Sequence, residues 1–268
     1  MDIYDSHTHL NQEKLFPRRK ELLSSFIQIG GKGIVNAGAN TFYNEKGILI
    51  AKESKNLFPG CWVKCCLGFH PCDVEQMRWS HEEEIKQLKK QILIHPEEVI
   101  AIGECGIDLH YDKEASTLTL QKKIFEKQCE LARELHLPIV IHSREAFDQT
   151  FEILKNFSDL KIYFHCRGYG EKELLFLFNY FPKLFIGFCG NISYPKAEEL
   201  RKSIKVTPKE KILIETDAPY LPPQAFRWEE NTPERIVQNG QYIAKLLETT
   251  EEMLWQQVEQ NFWELYRR

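Results

Sequence analysis

Two histidines, His7 and His9, lie one residue apart near the start of the chain, at the end of a short apolar segment. If that segment is a β-strand, residues i and i+2 point to the same face, so the two imidazoles would lie side by side. Two neutral imidazoles placed in this way supply half of a site for a divalent metal ion. A short His-x-His pair also occurs by chance on a polar strand face, so the pair needs further evidence.

Other metal-capable side chains follow apolar segments further along the chain. They lie at or just after the end of the third, fourth, fifth, sixth and eighth such segments, in that order: His70, Glu104, His142, His165 and Asp217. Random placement would scatter them. By contrast, His81, His95 and His136 lie in or beside amphipathic segments, where solvated or packing histidines are expected.

The elements that must position these residues alternate between short apolar segments and longer amphipathic ones. The apolar segments are continuous, as in parallel strands covered on both faces, and we predict strands at Ile3–His9, Gly33–Ala39, Trp62–Phe69, Val99–Ile107, Pro138–His142, Lys161–His165, Leu184–Cys189 and Ile212–Thr216. The clearest helix pattern runs from Leu118 to Leu135, and two helices are predicted to finish the chain.

Eight β/α units in about 250 residues are typical of a (β/α)₈ barrel. We therefore predict an α/β fold, a single TIM-like barrel over residues 1–268 with an extra C-terminal helix. An open doubly wound sheet is the second candidate, because strand order cannot be read from one sequence. In a barrel the carboxyl ends of the strands converge on one face, which would bring the metal-capable residues together.

Composition narrows the function classes. The 268 residues are 43% hydrophobic, which is ample for a large core, and the formal net charge is −4. An acidic chain does not bind nucleic acid by bulk attraction, so recognition of phosphate must be local. No apolar segment approaches the roughly 20 residues of a membrane helix, and no signal peptide is recognised, so a cytoplasmic location is expected. The 8 cysteines are predicted to be reduced thiols.

The donor set indicates which ions the site would take. Four imidazoles and two carboxylates exceed the needs of one tetrahedral zinc ion and suit two neighbouring divalent ions that share a carboxylate. Nitrogen-rich ligands favour Zn, Mn, Co or Ni over Ca, and Mg is a less natural choice. Each residue also has an ordinary alternative: Glu104 as a loop acid, Asp217 as a cap, and His142 or His165 as a satisfied polar residue.

Taken together, the motifs resemble the TatD family of metal-dependent deoxyribonucleases, within the amidohydrolase-like metal hydrolases. The resemblance spans the chain in order and is carried by residues 5–10, Gly68–Pro71, Gly103–Asp108, His142–Arg144, His165–Cys166 and Glu215–Leu221, together with Asn231, Pro233 and Asn261.

The resemblance implies a TIM-like barrel with one to two divalent metal ions that hydrolyses phosphodiester bonds in DNA. Carried over by position, His7, His9 and Asp217 would hold the first ion, Glu104 would bridge, and the second ion would be held by His142 and His165. The remaining matches would line the substrate pocket: His70, Asp108 and Arg144.

Two segments depart from the usual pattern of the family, and both concern the substrate pocket. Arg167 occupies a place where the family typically has an aromatic residue, and its charge would either contact phosphate or point to solvent. His110 follows Asp108 closely as an added polar side chain without an assigned role. Asn191, after the seventh strand, would add a neutral donor to the pocket or cap its loop.

These observations lead to a mechanism. Metal ions would lower the pKa of a bound water, Asp217 would orient that water and accept its proton, and Arg144 would neutralise the phosphate oxygens. The expected substrate is a short or single-stranded DNA segment, a strand end or an abasic site, cleaved as a 3′-5′ exonuclease or abasic-site endonuclease in DNA repair. Loop aromatics would stack on bases or pack on neighbouring loops: Tyr169, Tyr194, Tyr220, Phe226 and Trp228.

Two other function classes stay open at this point. The same chemistry attacks a carbonyl, which would make the protein an esterase or amidase such as an aminoacyl-tRNA deacylase or a lactonase. A non-catalytic barrel that serves as a binding partner is the third reading, and it predicts that the purified protein holds no metal.

Overall fold

A computed structural model describes residues 1–112, 114–166 and 168–267. Parallel strands form one eight-stranded sheet in which every strand pairs with the next one in the sequence. This order is that of a (β/α)₈ barrel, which confirms the predicted fold and excludes the doubly wound sheet. The strands are β1 Ile3–Thr8, β2 Gly31–Ala37, β3 Trp62–Leu67, β4 Val99–Asp108, β5 Ile139–Arg144, β6 Ile162–Phe164, β7 Leu184–Phe188 and β8 Ile212–Ile214.

The first and last strands meet at the carboxyl end of the barrel. The amide of Asp217 donates to the carbonyl of His7 (3.0 Å), and the amide of His9 donates to the carbonyl of Ala218 (2.7 Å). These bonds lie just beyond the end of β8. They join residues separated by more than 200 positions and bring three of the predicted metal ligands to one seam.

Helices follow the strands and cover the outside of the barrel. The helix predicted from Leu118 to Leu135 is confirmed with the same bounds, and two helices follow β8 as expected. The helices are α1 Arg19–Gln28, α2 Thr41–Leu57, α3 His81–Ile94, α4 Leu118–Leu135, α5 Phe147–Leu154, α6 Glu171–Tyr180, α7 Glu198–Val206, α8 Ile236–Leu246 and α9 Glu251–Tyr266.

Several strands end one or two residues earlier than the apolar pattern predicts. His9 and His165 lie just outside β1 and β6, and Thr216 lies outside β8. The pattern overestimates these strands because residues of the following loops are themselves buried. His9, His165 and Asp217 therefore lie on the loops that leave the carboxyl ends of the strands, whereas His7, Glu104 and His142 lie within strands.

The amino end of the barrel is covered by α9. Phe262 is fully buried and lies at the centre of an aromatic cluster, with its ring centroid 4.9 Å from that of Tyr4, 5.5 Å from Trp62 and 5.0 Å from Tyr266. The side-chain amide of Asn261 donates to the carbonyl of Ile212 (2.7 Å), which fixes the helix to the start of β8. The extra C-terminal helix therefore closes the end of the barrel opposite the predicted site.

Among the residues that the structure describes, no helix is both long enough and apolar enough to span a lipid bilayer.

Candidate metal centre

His7 and His9 face the same space at the carboxyl end of the barrel. Their Nε2 atoms are 3.2 Å apart, and each lies 3.4 Å from Oε2 of Glu104. Oδ1 of Asp217 is 3.3 Å from Nε2 of His9 and 3.8 Å from Nε2 of His7. The first predicted ligand group is thus brought together from β1, β4 and the end of β8.

The spacing of these four donor atoms fits a metal ion. Donor atoms that bind a tetrahedral zinc ion at about 2.1 Å are separated from one another by roughly 3.4 Å. The five separations among His7, His9, Glu104 and Asp217 run from 3.2 to 3.8 Å. Two imidazoles and two carboxylates also form a donor set that divalent transition metals accept.

The other carboxylate oxygen of Glu104 faces a second group of histidines. Oε1 lies 2.6 Å from Nε2 of His165, 2.8 Å from Nδ1 of His142 and 3.3 Å from Nε2 of His70. Nε2 of His165 and Nδ1 of His142 are 3.4 Å apart. The ring of His165 also stacks on that of His7 at a centroid distance of 4.0 Å, so the two groups are adjacent. Glu104 is therefore shared between them.

The backbone of β4 presents Glu104 in this position. The register of β4 against β5 is irregular between Ile102 and Cys105, as at the bulges that re-aim side chains near active sites. Gly106 has φ +144°, and a Cβ atom there would lie 1.9 Å from the carbonyl oxygen of His142. Only glycine allows the strand to approach β5 so closely beside the shared carboxylate.

Asp5 fixes the seam that carries Asp217. Its Oδ1 accepts from the amide of Thr216 (3.0 Å), and its Oδ2 accepts from the Thr216 hydroxyl (2.6 Å). Asp5 is fully buried, and burial raises the pKa of its carboxyl to about 7 despite the hydrogen bonds from Thr216. No role was predicted for Asp5 from the sequence. The available signal was an acidic residue inside the apolar segment Ile3–His9, two residues before the predicted ligand His7.

Electrostatics distinguish the two halves of the cluster. Burial alone would raise the pKa of Glu104, but the charges of His165 and His70 and a hydrogen bond with His142 hold it well below its usual range. Burial and the neighbouring His165 lower the pKa of His7 to about 3. Burial also tends to lower the pKa of His142, yet hydrogen bonds to Asp108 and Glu104 raise it to about 9. A charged carboxylate therefore lies between two groups of imidazoles.

Asp108 lies behind His142 and orients its ring. Oδ2 of Asp108 is 2.8 Å from Nε2 of His142, while its Oδ1 accepts from the amides of His110 (2.8 Å) and Tyr111 (3.1 Å). A carboxylate on the far nitrogen of an imidazole fixes which nitrogen faces a metal ion. The structure thus places Asp108 against a predicted ligand, where the sequence analysis expected it to line the substrate pocket.

His70 is held in one tautomer by the backbone. Its Nδ1 accepts a hydrogen bond from the amide of Cys72 (3.1 Å), so in the neutral ring the proton is on Nε2. That nitrogen faces Glu104 and the centre of the cluster. A protonated nitrogen cannot bind a metal ion but can donate a hydrogen bond, which agrees with the predicted contact to substrate.

Arg144 and Asn191 lie on different sides of the cluster. The Arg144 guanidinium is exposed at the end of β5, over the ring of Tyr111 at 5.1 Å. The side chain of Asn191 instead contacts two thiols, accepting from Sγ of Cys189 at 3.2 Å and donating to Sγ of Cys166 at 3.6 Å. The Asn191 amide is therefore engaged by its own loop and by the loop that follows β6.

Arg167 and His110 belong to the two segments that differ from the usual family pattern. Arg167 lies outside the described residues. Nδ1 of His110 lies 2.5 Å from Oε1 of Glu145, a contact between the loops that follow β4 and β5.

Glu215 is a further buried acid to which the sequence analysis gave no role. It accepts hydrogen bonds from the Cys166 amide and the Tyr163 hydroxyl, and its Oε1 lies 3.8 Å from Nδ1 of His165. Burial and the charge of Asp217 raise the pKa of Glu215 well above its usual value. Glu215 lies within the apolar segment that precedes Asp217, and a carboxylate there needs a partner to offset its desolvation, which was the available signal.

Comparisons with known proteins identify the family to which this chain belongs. A family model described as TatD related DNase matches residues 4–267. An uncharacterized metal-dependent hydrolase from Mycoplasma pneumoniae is 32% identical over 250 residues, which cover 92% of this chain and 92% of that protein. A 3'-5' ssDNA/RNA exonuclease TatD from Salmonella typhimurium is 30% identical over 225 residues, which cover 83% of this chain and 81% of the relative.

Among solved structures, the crystal structure of YJJV, a TatD homologue from Escherichia coli K12, has a TM-score of 0.87 to this chain. The match covers 99% of this chain and 98% of YJJV at 24% sequence identity. At that identity the likeness shows the barrel fold alone.

Proposed function

Since the chain belongs to the TatD-related DNase family, we propose that this metal-dependent hydrolase is a nuclease that removes nucleotides from the 3′ end of single-stranded DNA. The observation that carries the proposal is the position of Glu104. One of its oxygens faces His7 and His9, and the other faces His142 and His165. A carboxylate shared in this way suits two cations that grip one phosphate group.

The ligand assignment follows the two groups. His7, His9 and Asp217 would hold one divalent ion, and Glu104 would contribute to both sites. His142 and His165 would hold a second ion, whose site has fewer carboxylates and lies nearer the solvent, as the 16% exposure of the His142 side chain indicates. Zn, Mn, Co and Ni suit this nitrogen-rich set, with Mg a weaker candidate.

Bound ions would polarise the scissile phosphate and supply a nucleophilic water at neutral pH. Asp217 has the position to act as the proton acceptor: Oδ1 faces the histidines, and its other oxygen would orient the attacking water and take its proton. The backbone of Asp217 is held on the β1–β8 seam by its own amide and by the bond of Asp5 to the neighbouring Thr216, so its carboxylate projects from a fixed position. This fixed position serves catalysis because reorientation during the reaction is avoided.

Two further side chains would stabilise the negative charge that develops on the phosphate. Arg144 carries an exposed guanidinium that can form charge-assisted hydrogen bonds to phosphate oxygens. His70 offers its Nε2 proton because its Nδ1 already accepts from Cys72. Asp108 acts indirectly by fixing His142. Asn191 and Arg167 stay predictions as contacts to substrate.

The substrate class rests on the relatives that are single-stranded DNA and RNA exonucleases and on the acidic net charge of −4. Extended binding to duplex is unfavourable for such a chain, whereas a single strand can enter the mouth of the barrel. Incision at abasic sites, a place in DNA repair and a cytoplasmic location are secondary parts of this proposal.

The test uses protein stripped of metal and then loaded with Mn²⁺, Mg²⁺ or Zn²⁺. Each form is incubated with 5′-labelled single-stranded DNA, single-stranded RNA, duplex DNA and abasic duplex, and the products are resolved on a sequencing gel. We expect a ladder of strands shortened from the 3′ end with single-stranded DNA in at least one metal form. Elemental analysis of protein purified without chelator should find bound divalent metal.

The same experiment separates the alternative hydrolase. If none of the four nucleic acids is cleaved in any metal form, the nuclease proposal is wrong. Release of free amino acid from aminoacyl-tRNA, or ring opening of a lactone, would then identify the esterase class. Protein fractions purified in parallel from cells that carry the empty vector are the control for contaminating nucleases.

A further inference from the structure

Two arginines at the mouth of the barrel lack an acidic partner within the described part of the chain. Most other exposed or half-buried arginines form ion pairs with carboxylates: Arg18, Arg19, Arg78, Arg133 and Arg235. Arg144 and Arg227 instead lie over aromatic rings. Their positive charges are therefore available to an anion that approaches the mouth.

Arg227 and its neighbours form a platform in the loops after β7 and β8. The guanidinium of Arg227 lies 4.6 Å from the ring centroid of Tyr194 and 5.7 Å from that of Trp228. Trp228 is 94% exposed, although a tryptophan that packs in a fold typically buries most of its large surface. We use the term aromatic platform for Tyr194, Arg227 and Trp228.

The loop that carries the platform is held rigidly. The Tyr194 hydroxyl donates to the carbonyl of Pro222 (2.9 Å), which ties the β7 loop to the β8 loop. The side-chain amide of Asn231 donates to the carbonyls of Thr216 (2.8 Å) and Tyr220 (2.7 Å). The exposed ring of Trp228 is thus carried by a fixed support, as a preformed binding surface requires.

Tyr220 connects the metal centre along the chain to the β8 loop that carries Arg227 and Trp228. Tyr220 follows Asp217 by three positions, and its amide donates to the Asp217 carbonyl (2.8 Å). Its ring is 49% exposed and lies edge-on to His9 at a centroid distance of 5.8 Å. An aromatic face therefore borders the reacting centre, and Arg227 and Trp228 follow on the same loop, while Tyr194 lies on the loop after β7.

The second unpaired arginine lies across the mouth. Arg144 at the end of β5 contacts Tyr111, which is 73% exposed and follows β4. Strands 4 and 5 lie nearly opposite strand 8 in a barrel with this strand order. The mouth is therefore flanked by two arginine–aromatic pairs with the metal centre between them.

We propose that the aromatic platform and Tyr220 bind successive bases of a single-stranded nucleic acid whose scissile phosphate lies at the metal centre. Aromatic faces stack on bases of any sequence, while the neighbouring guanidinium attracts the backbone phosphates. Duplex DNA would not fit this mode because its bases are already stacked and paired. The inference rests on the proposed nuclease function, and it assigns to Tyr220, Arg227 and Trp228 the selection of single strands.

The experiment compares a long and a short substrate. Kinetics are measured on a labelled 12-nucleotide single strand and on bis(p-nitrophenyl) phosphate, a diester without bases. Trp228→Ala should raise KM for the strand about 10-fold, in line with the loss of one stacked base, and leave kcat nearly unchanged. Hydrolysis of the small diester should stay at the wild-type value. Trp228→Phe, which keeps an aromatic face, should restore most of the affinity.

A control is Tyr180→Ala, because Tyr180 is also an exposed aromatic residue but is the last residue of α6, on the amino side of the barrel. An unchanged KM in Trp228→Ala, or an equal increase in Tyr180→Ala, would overturn the platform. Binding of the labelled strand is also followed by fluorescence anisotropy in the presence of chelator. This measurement tests the platform even if the wild type cleaves neither substrate, which would refute only the nuclease proposal.

Discussion

The two ends of the barrel carry side chains of opposite chemical character. At the amino end, α9 packs an aromatic cluster around Phe262, which is fully buried among other aromatic rings. At the carboxyl end, histidines and acids crowd around Glu104, and their charges depend on one another. One end gains stability from burial of apolar surface, whereas the other holds desolvated polar groups that favour cation binding.

This difference separates stability from activity in the molecule. Conserving the fold requires the amino end to stay packed, while chemistry requires the carboxyl end to keep groups that are costly to bury. Substitutions at the two ends should therefore have separable effects. The predictions below test that separation, beginning with the largest expected effect.

Glu104→Gln should lower kcat/KM by about 10³-fold or more, because a neutral amide cannot neutralise cations on both sides. Bound metal measured by elemental analysis should fall in the same variant. Far-UV circular dichroism should remain that of the wild type, since the amide is nearly the same shape. Near-normal activity would show that Glu104 is not shared between two metal sites.

Phe262→Ala should lower the free energy of unfolding by about 3–5 kcal/mol, since it removes a fully buried ring from the amino end. Urea denaturation measures this loss. At a temperature where the variant is folded, kcat/KM should stay within about twofold of the wild type. A large loss of activity in the folded variant would contradict the independence of the two ends.

Removal of metal should abolish hydrolysis and lower the free energy of unfolding by about 3 kcal/mol when the ion is normally present at 100 times its Kd. The free energy of unfolding is expected to fall because the ion binds only to the folded state. Differential scanning calorimetry with and without chelator, followed by readdition of metal, measures both effects. If the chelator changes neither activity nor Tm, the cluster does not hold a functional metal ion.

Arg144→Ala should reduce kcat/KM about 10- to 100-fold through the loss of a charged hydrogen bond to phosphate. Arg133→Ala is the control, because Arg133 pairs with Asp159 on the outer surface of the barrel. Exposed ion pairs of that kind contribute little. Equal losses in both variants would indicate a general effect of charge and not a contact with the substrate.

Tyr4→Phe should have the smallest effect, about 1 kcal/mol of stability at neutral pH, because it removes the hydrogen bond from the Tyr4 hydroxyl to Glu259 (2.7 Å). Burial and Glu259 raise the pKa of Tyr4 from 10.0 to about 12. Between these values the unfolded chain loses a proton that the folded chain keeps, so wild-type stability falls with increasing pH. Urea midpoints from pH 9 to 12 should fall less steeply in the variant, and activity should be unchanged.

Much of the fold could be predicted from periodicity. The α4 pattern gave the bounds of that helix, and the order of apolar segments indicated eight strands. The ends of the strands were less accurate: β6 and β8 are shorter than the apolar segments that contain them. A buried loop and a buried strand have similar composition, so hydrophobicity alone does not separate them.

The sequence by itself determined which side chains meet. In parallel strands the carboxyl ends converge, so the positions of His7, Glu104, His142 and Asp217 along the chain were enough to predict one cluster. Their roles as metal ligands remain predictions until metal content is measured.

Only the tertiary structure decided how the side chains face one another. It determined which oxygen of Glu104 faces each histidine group, that the His70 proton lies on Nε2, that Asn191 contacts thiols, and that Arg227 and Trp228 share a platform. These orientations depend on contacts between residues far apart in the chain, such as Asp5 with Thr216, which are separated by 211 positions. Hydrogen-bond direction at that range is set by packing, and a local sequence pattern contains no information about it.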